Sequence, residues 1–149
     1  MIQVNAGPAD AEIVLKLYDL RRESVMREAR AWVVQKFQPQ SADDILKVAQ
    51  AWGTQENAYF RQVTSFWEMA ASLVLRGAVN PDLFMDWSGE MVFMFAKFHP
   101  FLAEVRERMH QPKWLGRVEE AIQQTGRDRQ LQDILALLRK MAERRAQAQ

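Results

Sequence analysis

The sequence predicts an all-α fold: an irregular helical bundle of about six or seven helices around a central apolar helix hairpin, with residues 1–149 forming a single domain. Three observations carry this. Apolar residues recur at three- and four-residue spacing in one segment after another, and no alternating strand pattern competes. Proline, glycine and the capping residues Ser, Thr and Asn fall where such segments would start and stop. Finally, two strongly apolar helix patterns meet at the turn Arg76-Gly77-Ala78-Val79-Asn80-Pro81 inside the stretch Thr54–Arg106, and the second is apolar almost all the way round, as a central helix is. A chain of 149 residues that is 48% apolar is long enough to bury a sizeable core.

The first helix starts at Pro8, a residue suited to the first helical position, with Asp10 and Glu12 favourable in the first turn. Ile13, Leu17 and Leu20 line one stripe; Val14, Tyr18, Val25, Ala29, Trp32 and Val33 line a neighbouring one that runs to about Phe37. Arg21-Arg22-Glu23-Ser24 is polar on all sides and is the expected place of a kink. Gln38-Pro39-Gln40 ends this helix. Ser41 caps a short second one, whose inward face is Ile45, Leu46, Val48, Ala49 and Trp52 and whose stop is Gly53.

Thr54 caps the third helix, with Tyr59, Val63, Phe66, Trp67, Ala70, Leu73 and Val74 inward and Asn57, Arg61, Ser65, Glu68 and Ser72 on the polar side. After Gly77, the pair Asn80-Pro81 reads as cap and first residue of the fourth. Phe84, Trp87, Met91, Phe95 and Phe98 form its large stripe, and Met85, Gly89, Val92 and Ala96 a smaller one, with Gly89 expected to admit a close neighbour. His99-Pro100 breaks the line before a short helix with Leu102, Val105 and Met109. Gln111-Pro112 is expected to open the next, carrying Trp114, Leu115, Val118 and Ile122 up to Gly126. The last helix carries Leu131, Ile134, Leu135, Leu138, Met141 and Ala142, and its far face holds Arg127, Arg139, Lys140, Arg144 and Arg145.

Composition excludes several functions. There is no cysteine, hence no disulfide, thiolate nucleophile or cysteine-ligated zinc, which fits a reducing compartment and a cytoplasmic location. The first residues show neither the basic nor the apolar region of a secretory signal, and no apolar run approaches membrane-spanning length. A net charge of +1 gives no general signal for nucleic acid. Residues 111–149 do carry 8 basic against 5 acidic side chains, so the basic C-terminal face stands as a secondary candidate for nucleic acid or an acidic partner.

The motifs Phe66-Trp67-Glu68, Arg76-Gly77-Ala78-Val79-Asn80, Leu83-Phe84, Phe95, Lys97, Pro100-Phe101 and Glu104-Val105-Arg106 resemble a family of bacterial helical proteins without an assigned function. The resemblance covers about residues 60–110 and implies a shared helical core, with Arg106 as the partner of Glu68. Phe95 stands where the family tends to have tryptophan. Many relatives carry N-terminal membrane segments; none is read here, so no tether is carried over.

Candidate chemistry is sparse. Glu107-x-x-His110 has the i, i+3 spacing of a di-iron ligand pair, but such sites need a second motif and two further glutamates, so no metal site is predicted. His99 has no recognisable partner as a general base, and Ser88-Gly89 lacks the flanking glycine of a nucleophile elbow. Glu68, set between Trp67 and Met69, is expected to turn inward and pair with Arg106. Met85, Phe93 and Met94 exceed what one stripe can bury and are expected to form a subunit contact or a ligand surface. No catalytic residue, cofactor or metal ligand is assigned. The function read from these features is a non-enzymatic, self-associating interaction module, with a small apolar-ligand binder using the Trp/Phe/Met cluster as the alternative.

Overall fold

The computed structural model describes residues 5–149. These are all-α, with no strand among them. The helices are α1 (Pro8–Arg22), α2 (Ser24–Ala31), α3 (Ala42–Gln50), α4 (Gln55–Leu75), α5 (Pro81–Met85), α6 (Gly89–Phe98), α7 (Leu102–Arg108), α8 (Gly116–Gln124) and α9 (Asp128–Gln147). A π-helical turn, Trp32–Lys36, prolongs α2, and a 3-10 turn, His99–Phe101, joins α6 to α7. Taking α1 with α2 and α5 with α6 as broken helices, the seven regions of the sequence reading are all present.

The caps follow the local chemistry. Ser41 Oγ accepts from the Asp44 amide at 3.3 Å, Thr54 Oγ1 from Asn57 at 3.2 Å and Asn80 Oδ1 from Leu83 at 2.9 Å. Gly53, Gly77 and Gly126 follow helix ends with φ of 87°, 77° and 69°, a conformation that costs a side-chain-bearing residue. The expected kink is real. Glu23 leaves helical geometry and its carboxylate accepts from Val25 and Met26, capping α2 and dividing it from α1.

Four expectations fail locally. The fourth helix is interrupted at Asp86–Ser88; Gly89 is the exposed first residue of α6, and a Cβ there would meet only the Gln130 side chain at 3.9 Å, so no close approach depends on it. Residues 112–115 form turns, and α8 starts only at Gly116. Trp52 lies past the end of α3, 72% exposed, with Arg61 stacked over it at 5.0 Å. Asn57 faces inward, fully buried, donating to the Val48 and Ala49 carbonyls at the end of α3.

α4 is the central rod, packed mainly on α8 and α2, while α6 packs on α9, α8 and the π turn. The two halves of the expected hairpin meet through large side chains: Phe60 stacks edge-on to Phe98 at 5.8 Å and Trp67 lies 5.8 Å from Trp87. Rings of this size hold the helix axes apart, and α8 and the π turn occupy the flanks.

Candidate functional site

The side chains that sequence reasoning grouped as a surface separate in the fold. Met85 and Met94 are buried in the core, where α5 and α6 turn them inward on either side of the Asp86–Ser88 break. They are packing residues of this chain, not an exposed contact. An all-round apolar helix needs no second subunit when α8, α9 and the π turn surround it. Phe93 alone of the three is half-exposed, and it opens onto a groove.

The groove, of about 860 Å³, lies between α6 with its 3-10 extension, the segment 38–40 and the C-terminal half of α9. Phe93, Ala96, Phe101, Leu135, Leu138 and Met141 give it an apolar lining; Gln38, Gln40, His99, Lys97, Arg139 and Arg145 add polar groups. Among the described residues no aspartate or glutamate lines it. The predicted basic face is thereby divided. Arg139 and Arg145 line the groove, whereas Lys140 and Arg144, one turn apart on another side of α9, do not.

In the sequence Lys97 stands out only as part of the family pattern, yet in the fold it is a buried cation held by three hydrogen bonds. It is 6% exposed, and Nζ donates to the carbonyls of Val33 at 2.6 Å, Val34 at 2.9 Å and Phe37 at 2.7 Å. Those carbonyls lie at and just past the end of the π turn, where helix acceptors lack partners and the dipole favours a cation. Burial, with Arg145 nearby, pulls the Lys97 ammonium down to about 8. A lysine in a helix otherwise buried at Val92, Met94, Phe95, Ala96 and Phe98 was the available signal.

A second buried network was also missed. Arg21 is buried rather than solvated, its guanidinium 5.3 Å from the ring centroids of both Trp67 and Trp87. It pairs with Glu90 at 3.3 Å, and Arg30 grips the same carboxylate with two bonds of 2.7 and 2.8 Å. Burial lowers the Arg21 pKa, whereas the Glu90 hydrogen bond raises that of Arg30. One glutamate at the start of α6 thus ties together both arms of the kink.

Glu68 does turn toward the protein but does not make the expected direct pair. Its Oε1 accepts from the Val118 amide at 2.9 Å, while Arg106 donates to the Trp114 carbonyl at 2.8 Å and to Glu119 at 3.2 Å. The reason is the start of α8. Its cap position is Leu115, buried, at φ 57° and without a capping side chain, so the first-turn amides take Glu68 from α4 instead. Burial raises the Glu68 pKa, against the pull of the Val118 and Arg117 amides and the charges of Arg117 and Arg106. Glu68→Ala is expected to lose about 1–2 kcal/mol in urea unfolding and Glu68→Gln about half that, as for other lost caps. An unaltered midpoint in both would remove this capping role.

Glu107 and His110 flank a shallow concavity, but His110 has φ 55° beyond the end of α7, so the two are not a helical i, i+3 pair. Among the described residues no three His, Cys, Asp or Glu side chains gather as metal ligands. His99 packs edge-on to Phe95 at 5.6 Å beside the groove. No helix of the described residues is long and apolar enough to cross a membrane.

The chain matches, over residues 6–144, the family described as a domain of unknown function (DUF4760). No curated protein matches it, and no solved structure does. The family pattern therefore reaches well past residues 60–110, taking in α1 and most of α9, and the chain belongs to this family.

Proposed function

We propose that this family member is a non-enzymatic binding module whose groove between α6 and α9 holds a ligand with an apolar body. The observation that carries this is the groove itself: about 860 Å³, within the roughly 300–1,000 Å³ of small-molecule sites, with an apolar lining and a few polar groups. The non-enzymatic reading is supported by what the buried charged groups already do. Lys97 binds three carbonyls, Glu90 holds two arginines and Glu68 caps α8, so none is left poised for chemistry. The ligand site differs from the one expected from the Trp/Phe/Met cluster, most of which is solid core.

Titration with the neutral, fluorescent apolar probe N-phenylnaphthylamine tests this. Saturable binding is expected, weakened at least about ten-fold when Ala142→Trp or Ala146→Trp fills the groove. Absence of saturable binding, or fillers that bind like the wild type, would refute it. Self-association is the second reading, supported by Leu15, Tyr18 and Val25, which are 64%, 45% and 47% exposed along α1 and α2. Sedimentation of the same samples would favour it if a concentration-dependent dimer dissolved on Leu15→Glu.

A further inference from the structure

We propose that the groove selects an amphipathic organic acid, its apolar body against Phe93, Phe101 and Leu138 and its carboxylate on Arg145 beside Lys97. This rests on the groove being a binding site and adds the chemical class of what enters it. Three observations converge. Among the described residues the charged side chains of the lining are Lys97, Arg139 and Arg145, and none is acidic, so its side-chain charge is of one sign. Arg145 stands close enough to Lys97 to disfavour its protonation, and among the described residues no carboxylate pairs with either. The Arg145 Nε is buried and has no hydrogen-bond partner.

Two adjacent cations in a partly apolar groove repel each other, and an anion between them reverses that cost. The roles of the two differ. Lys97 has three N–H donors and gives all three to backbone carbonyls, so it contributes charge and no free hydrogen bond. Arg145 carries the free fork, and a guanidinium matches a carboxylate through two parallel bonds. A small inorganic anion would satisfy Arg145 and leave Phe93, Phe101 and Leu138 wet. A neutral apolar molecule would cover those residues and leave the cations unpaired. A molecule with both parts satisfies both halves of the groove.

Calorimetric titration of the full chain with decanoate, decanol and decyltrimethylammonium, each below its aggregation concentration, separates the possibilities. Decanoate is expected to bind at least about ten-fold more tightly than decanol, and the cation not measurably. Arg145→Gln is expected to reduce decanoate to the level of decanol, and Arg145→Lys to fall between, with melting temperatures checked for all variants. Equal binding of decanol and decanoate, or decanoate binding indifferent to Arg145→Gln, would overturn the acid selectivity and leave the groove reading standing. Binding of inorganic phosphate as tight as that of decanoate would also overturn it, since the apolar half would then be dispensable. If none of the three binds and N-phenylnaphthylamine does not either, both readings fail together.

Discussion

Lys97→Met is expected to cost about 3 kcal/mol of folding stability, because it strips one donor group from three backbone acceptors at once. Methionine keeps most of the volume, so the loss isolates the bonds from the packing. Each carbonyl of Val33, Val34 and Phe37 was solvated in the unfolded chain and would be left poorly bonded in the fold, at about 1–3 kcal/mol for a fully buried group. Part of this is returned, since the variant no longer buries an ammonium. The net should appear as a melting-point drop of roughly 6–12 °C for a chain of this size. Exposed Lys113→Met is the control and should change stability by less than about 0.5 kcal/mol. A drop for Lys97→Met no larger than the control's would mean that the end of the π turn does not depend on this lysine.

The same substitution has a defined pH signature. The Lys97 ammonium titrates at about 8 in the fold, below its ordinary value of 10.5. Between these values the unfolded chain binds more protons than the folded one, so stability contributed by Lys97 rises with pH through that window. The gap between wild type and Lys97→Met should therefore widen from about pH 8 to about pH 10.5. A gap that narrows would mean that the three carbonyls hold the ammonium more strongly than burial opposes it.

What the sequence makes legible is local, and what it hides is pairing at a distance. Asn80-Pro81, Ser41 and Thr54 announce helix starts because a cap acts within three residues of itself. The kink at Glu23 is readable for the same reason. Lys97, Arg21 and Glu68 satisfy groups 60, 69 and 50 positions away, and no periodicity encodes such a partner. Arg21 in particular sits in a polar run that looks solvated, and only the placement of Trp67 on α4 and of Trp87 in the break before α6 makes a stacked, paired guanidinium favourable there. The groove is harder still to foresee. Its floor reads as core in each helix separately, and the gap exists because α9 buries only Leu131 fully, leaving Leu135, Leu138 and Met141 partly open. The break before Gly89 misled for a different reason: the apolar pattern continues straight across Asp86–Ser88, and three turn residues are too few to disturb it.

Glu90→Ala is expected to destabilise the fold by about 3 kcal/mol, with the damage concentrated at the junction of α1 and α2. The carboxylate neutralises two guanidiniums whose side chains are only 10% and 24% exposed, so its removal leaves two cations confined together without a counter-ion. Arg30 also donates to the Arg21 carbonyl at 3.2 Å near the end of α1, and Arg21 to the Trp87 carbonyl at 3.3 Å just before α6. The glutamate therefore fixes a geometry as well as a charge balance. Hydrogen exchange should show this as faster opening of α1 and α2, with α4 and α8 retaining their protection. Arg30→Met should cost less, about 1–2 kcal/mol, because Glu90 keeps Arg21. The triple change Arg21→Met, Arg30→Leu, Glu90→Met separates the two contributions. If charge balance dominates, removing all three groups restores much of the stability that Glu90→Ala loses, as apolar replacement of a buried ion network commonly does. If geometry dominates, the triple variant stays as unstable as the single one and the exchange of α1 and α2 stays fast. Uniform loss of protection across all helices in Glu90→Ala would contradict the local anchoring role, because the effect would then belong to the core that α6 shares with α8 and α9.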